Sequence, residues 1–131
     1  MSNVLYLLVL DPRLRKLRLA LAILLFLTIV ITGNIPGARS EIGHYAPGTV
    51  LHFLSYSGLA LLWYTGSTGS AMARSLKAVL AIAAMGACDE FIQSFFPYRG
   101  ADIRDWMVDC IAAVTTCGLL SAFLPKPMPA R

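Results

Sequence analysis

Long apolar runs alternate with short polar breaks along this chain, and the lengths of the runs predict helices rather than strands. The first run is Leu17–Gly33, and Arg13, Arg15, Lys16 and Arg18 lead into it. Asp11-Pro12 marks its start, an N-cap residue followed by proline at the first helical position. The preceding Met1–Leu10 is apolar but too short to cross a bilayer. Asn34–Gly48 carries Pro36, Gly37, Gly43 and Pro47 and reads as a loop. Val50–Gly66 is the second run, and Ser67–Ser75 a turn of small residues.

The third and fourth runs are short for a spanning role. Ala78–Cys88 is 11 residues, about 16 Å of helix, against a hydrocarbon core of roughly 30 Å. To cross, this helix must continue through Asp89 and Glu90 to Phe96, ahead of Pro97 and Gly100. Ile111–Leu124 must likewise begin near Asp105 and take in Asp109. The expected spans are 14–33, 50–66, 76–96 and 104–124, within a single domain over 1–131, closing on a tail with Pro125, Pro127 and Pro129. The expected fold is an all-α integral membrane bundle of four transmembrane helices.

Composition supports a membrane protein. Hydrophobic residues make up 57% and charged residues 14%, against about 45–50% and about 25% in soluble domains. Mean hydropathy is +0.68. So few charges argue against a soluble globular enzyme, a disordered chain or a secreted disulfide scaffold. The net charge of +4 is spread between apolar runs and forms no basic aromatic patch, so no nucleic-acid partner is expected. Cys88, Cys110 and Cys117 are odd in number and lack C-x-x-C or His/Cys spacing, so neither a disulfide nor a metal site is expected, and no cofactor. A cleaved signal peptide shares the basic start and apolar middle of the first run, but here the basic cluster comes late.

Lys and Arg counts give orientation. Four lie in the N-terminal segment, two (Arg74, Lys77) in the middle turn and two (Lys126, Arg131) in the tail, against Arg39, Arg99 and Arg104 in the other loops. The positive-inside rule puts both termini in the cytoplasm. Asp89, Glu90, Asp102, Asp105 and Asp109, five of the seven acidic residues, then fall toward the outer leaflet with His52, Arg99 and Arg104. Glu90 and Gln93 are i, i+3; His52 and Tyr56, and Asp105 and Asp109, are i, i+4. Glu90 sits about six residues below the expected helix end, roughly 9 Å deep. Glu90 and Asp109 are expected to face the bundle interior, paired with Arg99, His52 or each other.

Plainer roles also fit some residues. Asp102 suits a helix cap, Asp105 the helix dipole and Arg99 a snorkelling interfacial charge. Asp89 is expected to turn away from Glu90 toward headgroups, and His44 to be solvated. Trp63, Tyr64 and Trp106 read as interfacial anchors. Ala81, Ala84, Gly86, Ala112, Ala113 and Gly118 read as close-packing positions.

The segment Asp89-Glu90-Phe91-Ile92-Gln93-Ser94-Phe95-Phe96-Pro97-Tyr98-Arg99, followed by Asp105 and Asp109, resembles the VanZ-like family. That family shows Glu-x-x-Gln, Pro-x-Arg, an Asp six residues on and an Asn four further. It also shows His-Phe with a Tyr one turn on, matched by His52-Phe53 and Tyr56. The resemblance covers about 47–120. Asp109 stands where the family has Asn, Ala112 where it has Gly, and Gly48-Thr49 where it often has Asp–Lys. The resemblance implies a four-helix fold in the bacterial cytoplasmic membrane and a cell-envelope role linked to resistance to teicoplanin, a lipoglycopeptide.

Three readings of the cluster compete. In the first, His52, Tyr56, Glu90, Gln93, Arg99, Asp105 and Asp109 bind a membrane lipid, a lipid-linked cell-wall precursor or a lipoglycopeptide. In the second, His52, Glu90 and Asp109 are catalytic acid-base groups of an intramembrane enzyme acting on such a lipid. The third is a proton or ion pathway. Four short helices enclose little volume, and a homo-oligomer is compatible with that.

Overall fold

The computed structural model describes residues 2–125, and every regular element among them is helical. Helix α1 is Ser2–Leu10, α2 Arg15–Gly33, α3 Ala38–Gly43, α4 Gly48–Gly66, α5 Ala71–Gln93 and α6 Ile103–Phe123. A 3₁₀ turn over Pro12–Leu14 joins α1 to α2, and the Asp11 side chain caps it by accepting the Arg13 amide. Pro127 and Pro129, and the tail charges Lys126 and Arg131, lie outside the described residues.

The four long helices run alternately up and down. Helix α4 is the hub and packs on α2, α5 and α6, while α2 leans almost wholly on α4. Ala22, Tyr56, Leu59, Ala60, Ile82, Ala112 and Ala113 form the main core. The outer faces are apolar: Leu24, Leu27, Ile31, Leu76, Leu80, Ile111, Val114 and Leu119 are all exposed. The interior, by contrast, holds Arg18, Arg74, Asp89, Glu90, Gln93, Asp105 and Asp109. Polar groups inside and apolar groups outside is the arrangement that hydrocarbon solvent favours.

Two helices, α5 and α6, are long and apolar enough to cross a membrane, where the sequence predicts four. The other two are 19 residues each. Helix α2 opens on Arg15, Lys16 and Arg18, and α4 carries His52, Ser55, Tyr56 and Ser57; each shortens its uninterrupted apolar length.

Other boundaries also move. Helix α5 starts at Ala71 rather than 76, because Ser70 caps it by accepting the Ala73 amide. It ends at Gln93 rather than Phe96, where Ser94–Arg99 turns back and Gly100 takes a left-handed φ of 66°. Glu90 therefore sits less than one turn from the helix end, shallower than expected. The stretch 34–48 is not loop throughout: α3 forms within it after Gly37, whose φ of 82° makes the turn.

One end of the bundle is locked by arginines that the sequence shows only as topology charges. Arg18 donates to the carbonyls of Leu8, Asp11 and Thr65 at 2.8–3.0 Å, fastening α1 and the end of α4 to α2. The Arg74 guanidinium lies 4.6 Å from the Tyr64 ring centroid. Tyr64 is fully buried, and its hydroxyl lies 3.3 Å from Ser121 Oγ; it is a core residue, not an interfacial anchor. Trp106 also serves packing, since its Nε1 donates to the Ala83 carbonyl at 2.9 Å. Of the small residues, Gly86, Ala112 and Ala113 are buried, whereas Ala84 and Gly118 face outward.

Candidate functional site

The opposite end gathers the predicted cluster. His52 lies one turn into α4, and its ring stacks parallel to Tyr56 at 5.8 Å between centroids, as i, i+4 spacing requires. His52 Nδ1 lies 2.8 Å from Asp109 Oδ1 on α6. An ionised carboxylate only accepts, so Nδ1 carries the proton and Nε2 is left pointing elsewhere. Nε2 lies 3.6 Å from Asp105 Oδ2.

Asp109 is fully buried, with its other oxygen pressed over Gly86: a Cβ there would sit 2.8 Å from Oδ2. Glycine at position 86 is thus what lets α5 and α6 close around this carboxylate.

A second polar chain runs behind the first. Tyr56 donates to Asp89 Oδ2 at 3.0 Å, and Gln93 Nε2 donates to Asp89 Oδ1 at 3.0 Å. Asp89 and Gln93 are 2% and 1% exposed. Asp89 does not face headgroups as expected; it points at α4, where the Tyr56 hydroxyl satisfies it. Its neighbour Glu90 points instead at the start of α6, and its Oε2 accepts the Asp102 amide at 2.8 Å. Asp102 also caps α6, accepting the Arg104 amide at 2.9 Å. His44 is exposed, as expected.

Beside these networks lies a cleft of about 240 Å³ between α2, α3, α4 and the α5–α6 turn. Its lining includes the polar side chains of Arg39, His52, Tyr56 and Arg99 and the apolar side chains of Ile29, Ile42 and Leu51. Tyr98 fixes the α5–α6 turn in place by donating to the Asn34 carbonyl at 2.7 Å. Arg99 is half-buried, and its Nε and Nη1 are buried without a partner. Burial and the adjacent Arg39 guanidinium lower the Arg99 pKa, while Asp89, Asp105 and Glu90 oppose them; a guanidinium stays charged throughout. Arg39 Nη2 lies 3.9 Å from Asp105 Oδ2. It also lies 3.2 Å from where a Gly48 Cβ would stand.

The model of the VanZ/LLP1 family matches residues 26–124. The chain belongs to that family. A search of curated proteins and one of solved structures found no match. In this VanZ/LLP1 chain the matched region takes in the whole cluster and the two helices able to cross a membrane, and both features read as a membrane protein.

The structure splits the predicted residues into two groups. His52, Tyr56 and Arg99 line the cleft; Glu90, Gln93, Asp105 and Asp109 are buried beside it and are not among its lining residues. Arg99 does not pair with Glu90 or Asp109. Sequence reasoning missed Arg39 and Asp89. The sequence offered for Arg39 only its place among the three arginines of the outer loops. Asp89 offered only its sequence position next to Glu90.

Proposed function

We propose that this protein is a four-pass protein of the bacterial cytoplasmic membrane, both termini inside, that binds the anionic headgroup of a lipid or lipid-linked envelope precursor in an outward-facing cleft. One observation carries the reading: two guanidiniums, Arg39 and Arg99, line one cleft together with the apolar side chains Ile29, Ile42 and Leu51. Arg99 keeps buried N–H donors without partners. Arginine forks match phosphate and carboxylate geometry, and a site lined by both charged and apolar side chains suits an amphiphile. Ile29, Ile42 and Leu51 would take the upper acyl chain. Sequestering such a lipid, or a lipoglycopeptide that mimics it, accounts for the family's link to teicoplanin resistance.

The test is mass spectrometry of the purified protein after incubation with bacterial lipid extract. A lipid retained unchanged by wild type and lost from Arg99→Ala supports the reading. Equal retention by both overturns it.

A second reading, an intramembrane enzyme, rests on the His52–Asp109 pair. A carboxylate holding Nδ1 orients Nε2 as a general base, here on the cleft wall. In that case the same spectra show a lipid whose mass changes only with wild type.

A further inference from the structure

His52 of α4, Glu90 of α5 and Asp105 of α6 each bring one ligand atom within 4.8 Å of the other two. We infer that these three side chains bind a divalent transition-metal ion, of which Zn²⁺ is the probe of choice. Three independent features point there.

The first is the orientation of His52. Its Nδ1 is held by Asp109 Oδ1 at 2.8 Å, which leaves the Nε2 lone pair 3.6 Å from a carboxylate oxygen of Asp105. When the imidazole is neutral two electron-rich atoms face each other, and a cation between them turns repulsion into coordination. Metal-binding imidazoles characteristically hand their other nitrogen to a carboxylate in this way. The buried Asp109 is then a positioning residue, not a ligand.

The second is Glu90. It is 8% exposed, its Oε2 is taken by the Asp102 amide, and its Oε1 is buried with no partner. A buried carboxylate oxygen without a donor is costly, and a metal ion removes that cost.

The third is charge. Asp89, Glu90 and Asp105 lie near the Arg99 guanidinium, Asp105 also near Arg39, and Asp109 is held by His52. With the carboxylates ionised and His52 neutral, two negative charges are uncompensated, and a dication supplies the balance.

The donor set of one imidazole and two carboxylates suits Zn²⁺ or Mn²⁺ better than the thiolate-preferring Cu⁺. Bonds of about 2.0–2.1 Å put tetrahedral ligand atoms roughly 3.4 Å apart. The three side chains therefore close by movements on the order of 1 Å. Because His52 also lines the cleft, a phosphate held by Arg39 and Arg99 is placed to take the fourth position; that last point alone rests on the lipid-binding reading.

The experiment uses full-length protein in detergent, freed of lipid, stripped with a chelator and re-equilibrated with Zn²⁺ or Mn²⁺. Metal content is measured by mass spectrometry, the first shell by X-ray absorption and helicity by circular dichroism. The expected result is one Zn²⁺ per chain with nitrogen and oxygen ligands at about 2.0–2.1 Å. Affinity should fall at least about tenfold in His52→Asn, Glu90→Gln and Asp105→Asn, and about 10- to 100-fold in Asp109→Asn. If His52→Asn loses helicity, Asp105→Asn at the first turn of α6 decides. Stripped wild type that stays helical and binds neither metal overturns the inference and leaves a protonated imidazole among carboxylates. So does affinity unchanged by these substitutions, or a sulfur shell near 2.3 Å, which would assign the metal to the cysteines. Metal uptake without lipid retention would overturn the lipid reading alone, and lipid retention without metal uptake the metal site alone.

Discussion

His52 on α4 and Asp109 on α6 stand 57 positions apart in sequence and meet at 2.8 Å. This contact ties the hub helix to its strongest partner, aims His52 Nε2, and sits directly behind a cleft with two guanidiniums. Inside the bundle, away from water, such a pair is worth more as a unit than either member alone.

A double-mutant cycle measures that unit. His52→Ala and Asp109→Ala should each lower stability in detergent, and the double variant should lose less than their sum. A coupling of about 1–3 kcal/mol is expected for contacting residues in one charged network. Additive losses in chemical or thermal unfolding would show that the two act separately.

Gly86 tests the packing that brings Asp109 into place. A Cβ at 86 meets Asp109 Oδ2 at 2.8 Å and Trp106 Cδ1 at 3.2 Å, so Gly86→Ala should destabilise by about 1–3 kcal/mol, the usual cost of overpacking. Gly118, on α6, has nothing within 4 Å of its added Cβ. Gly118→Ala should be neutral or stabilise by up to about 1 kcal/mol, through helix propensity. Equal effects at both positions in unfolding measurements would contradict the packing described.

Much of this fold is legible in the sequence, but unevenly. The caps Asp11 and Asp102 act as read, because capping depends on a few neighbouring residues. The His52–Tyr56 stack follows from helical spacing within one element. Spacing says nothing of how one helix is rotated against the next, and there the reading of Asp89 failed. Asp89 and Glu90 are neighbours, yet both are buried, one against Tyr56 and the other against the start of α6. His52, Glu90 and Asp105 read from the sequence as sharing one end of the bundle, but the approach of their ligand atoms to within 4.8 Å depends on helix rotation and was not legible. Arg39 was hidden because its short helix α3 lies in a stretch rich in Gly and Pro.

Arg18 separates structural from topological charge. Arg18→Ala leaves the carbonyls of Leu8, Asp11 and Thr65 without their donor, and unfolding should show a loss of about 2 kcal/mol, within the range for buried unsatisfied groups. Lys16 is exposed nearby, and Lys16→Ala should change stability by less than about 0.5 kcal/mol. Both remove one basic residue from the same segment, so equal effects would mean that only the charge matters.

The proposed orientation predicts a labelling pattern. With Cys88, Cys110 and Cys117 replaced by serine, a cysteine at exposed His44 should react with an impermeant maleimide on intact cells. One at exposed Thr68 should react only after permeabilisation. The reverse pattern would place the cleft on the cytoplasmic face.

The most direct test of the account is equilibrium binding of a phosphate-headgroup lipid, phosphatidylglycerol in mixed micelles, to wild type, Arg39→Ala and Arg99→Ala. Saturable binding to wild type, weakened at least about tenfold in each variant, a difference of about 1.4 kcal/mol, is the predicted result. Binding that is equal across the three proteins, or equal for phosphatidylcholine with its neutral headgroup, would contradict an anion site built on those two guanidiniums.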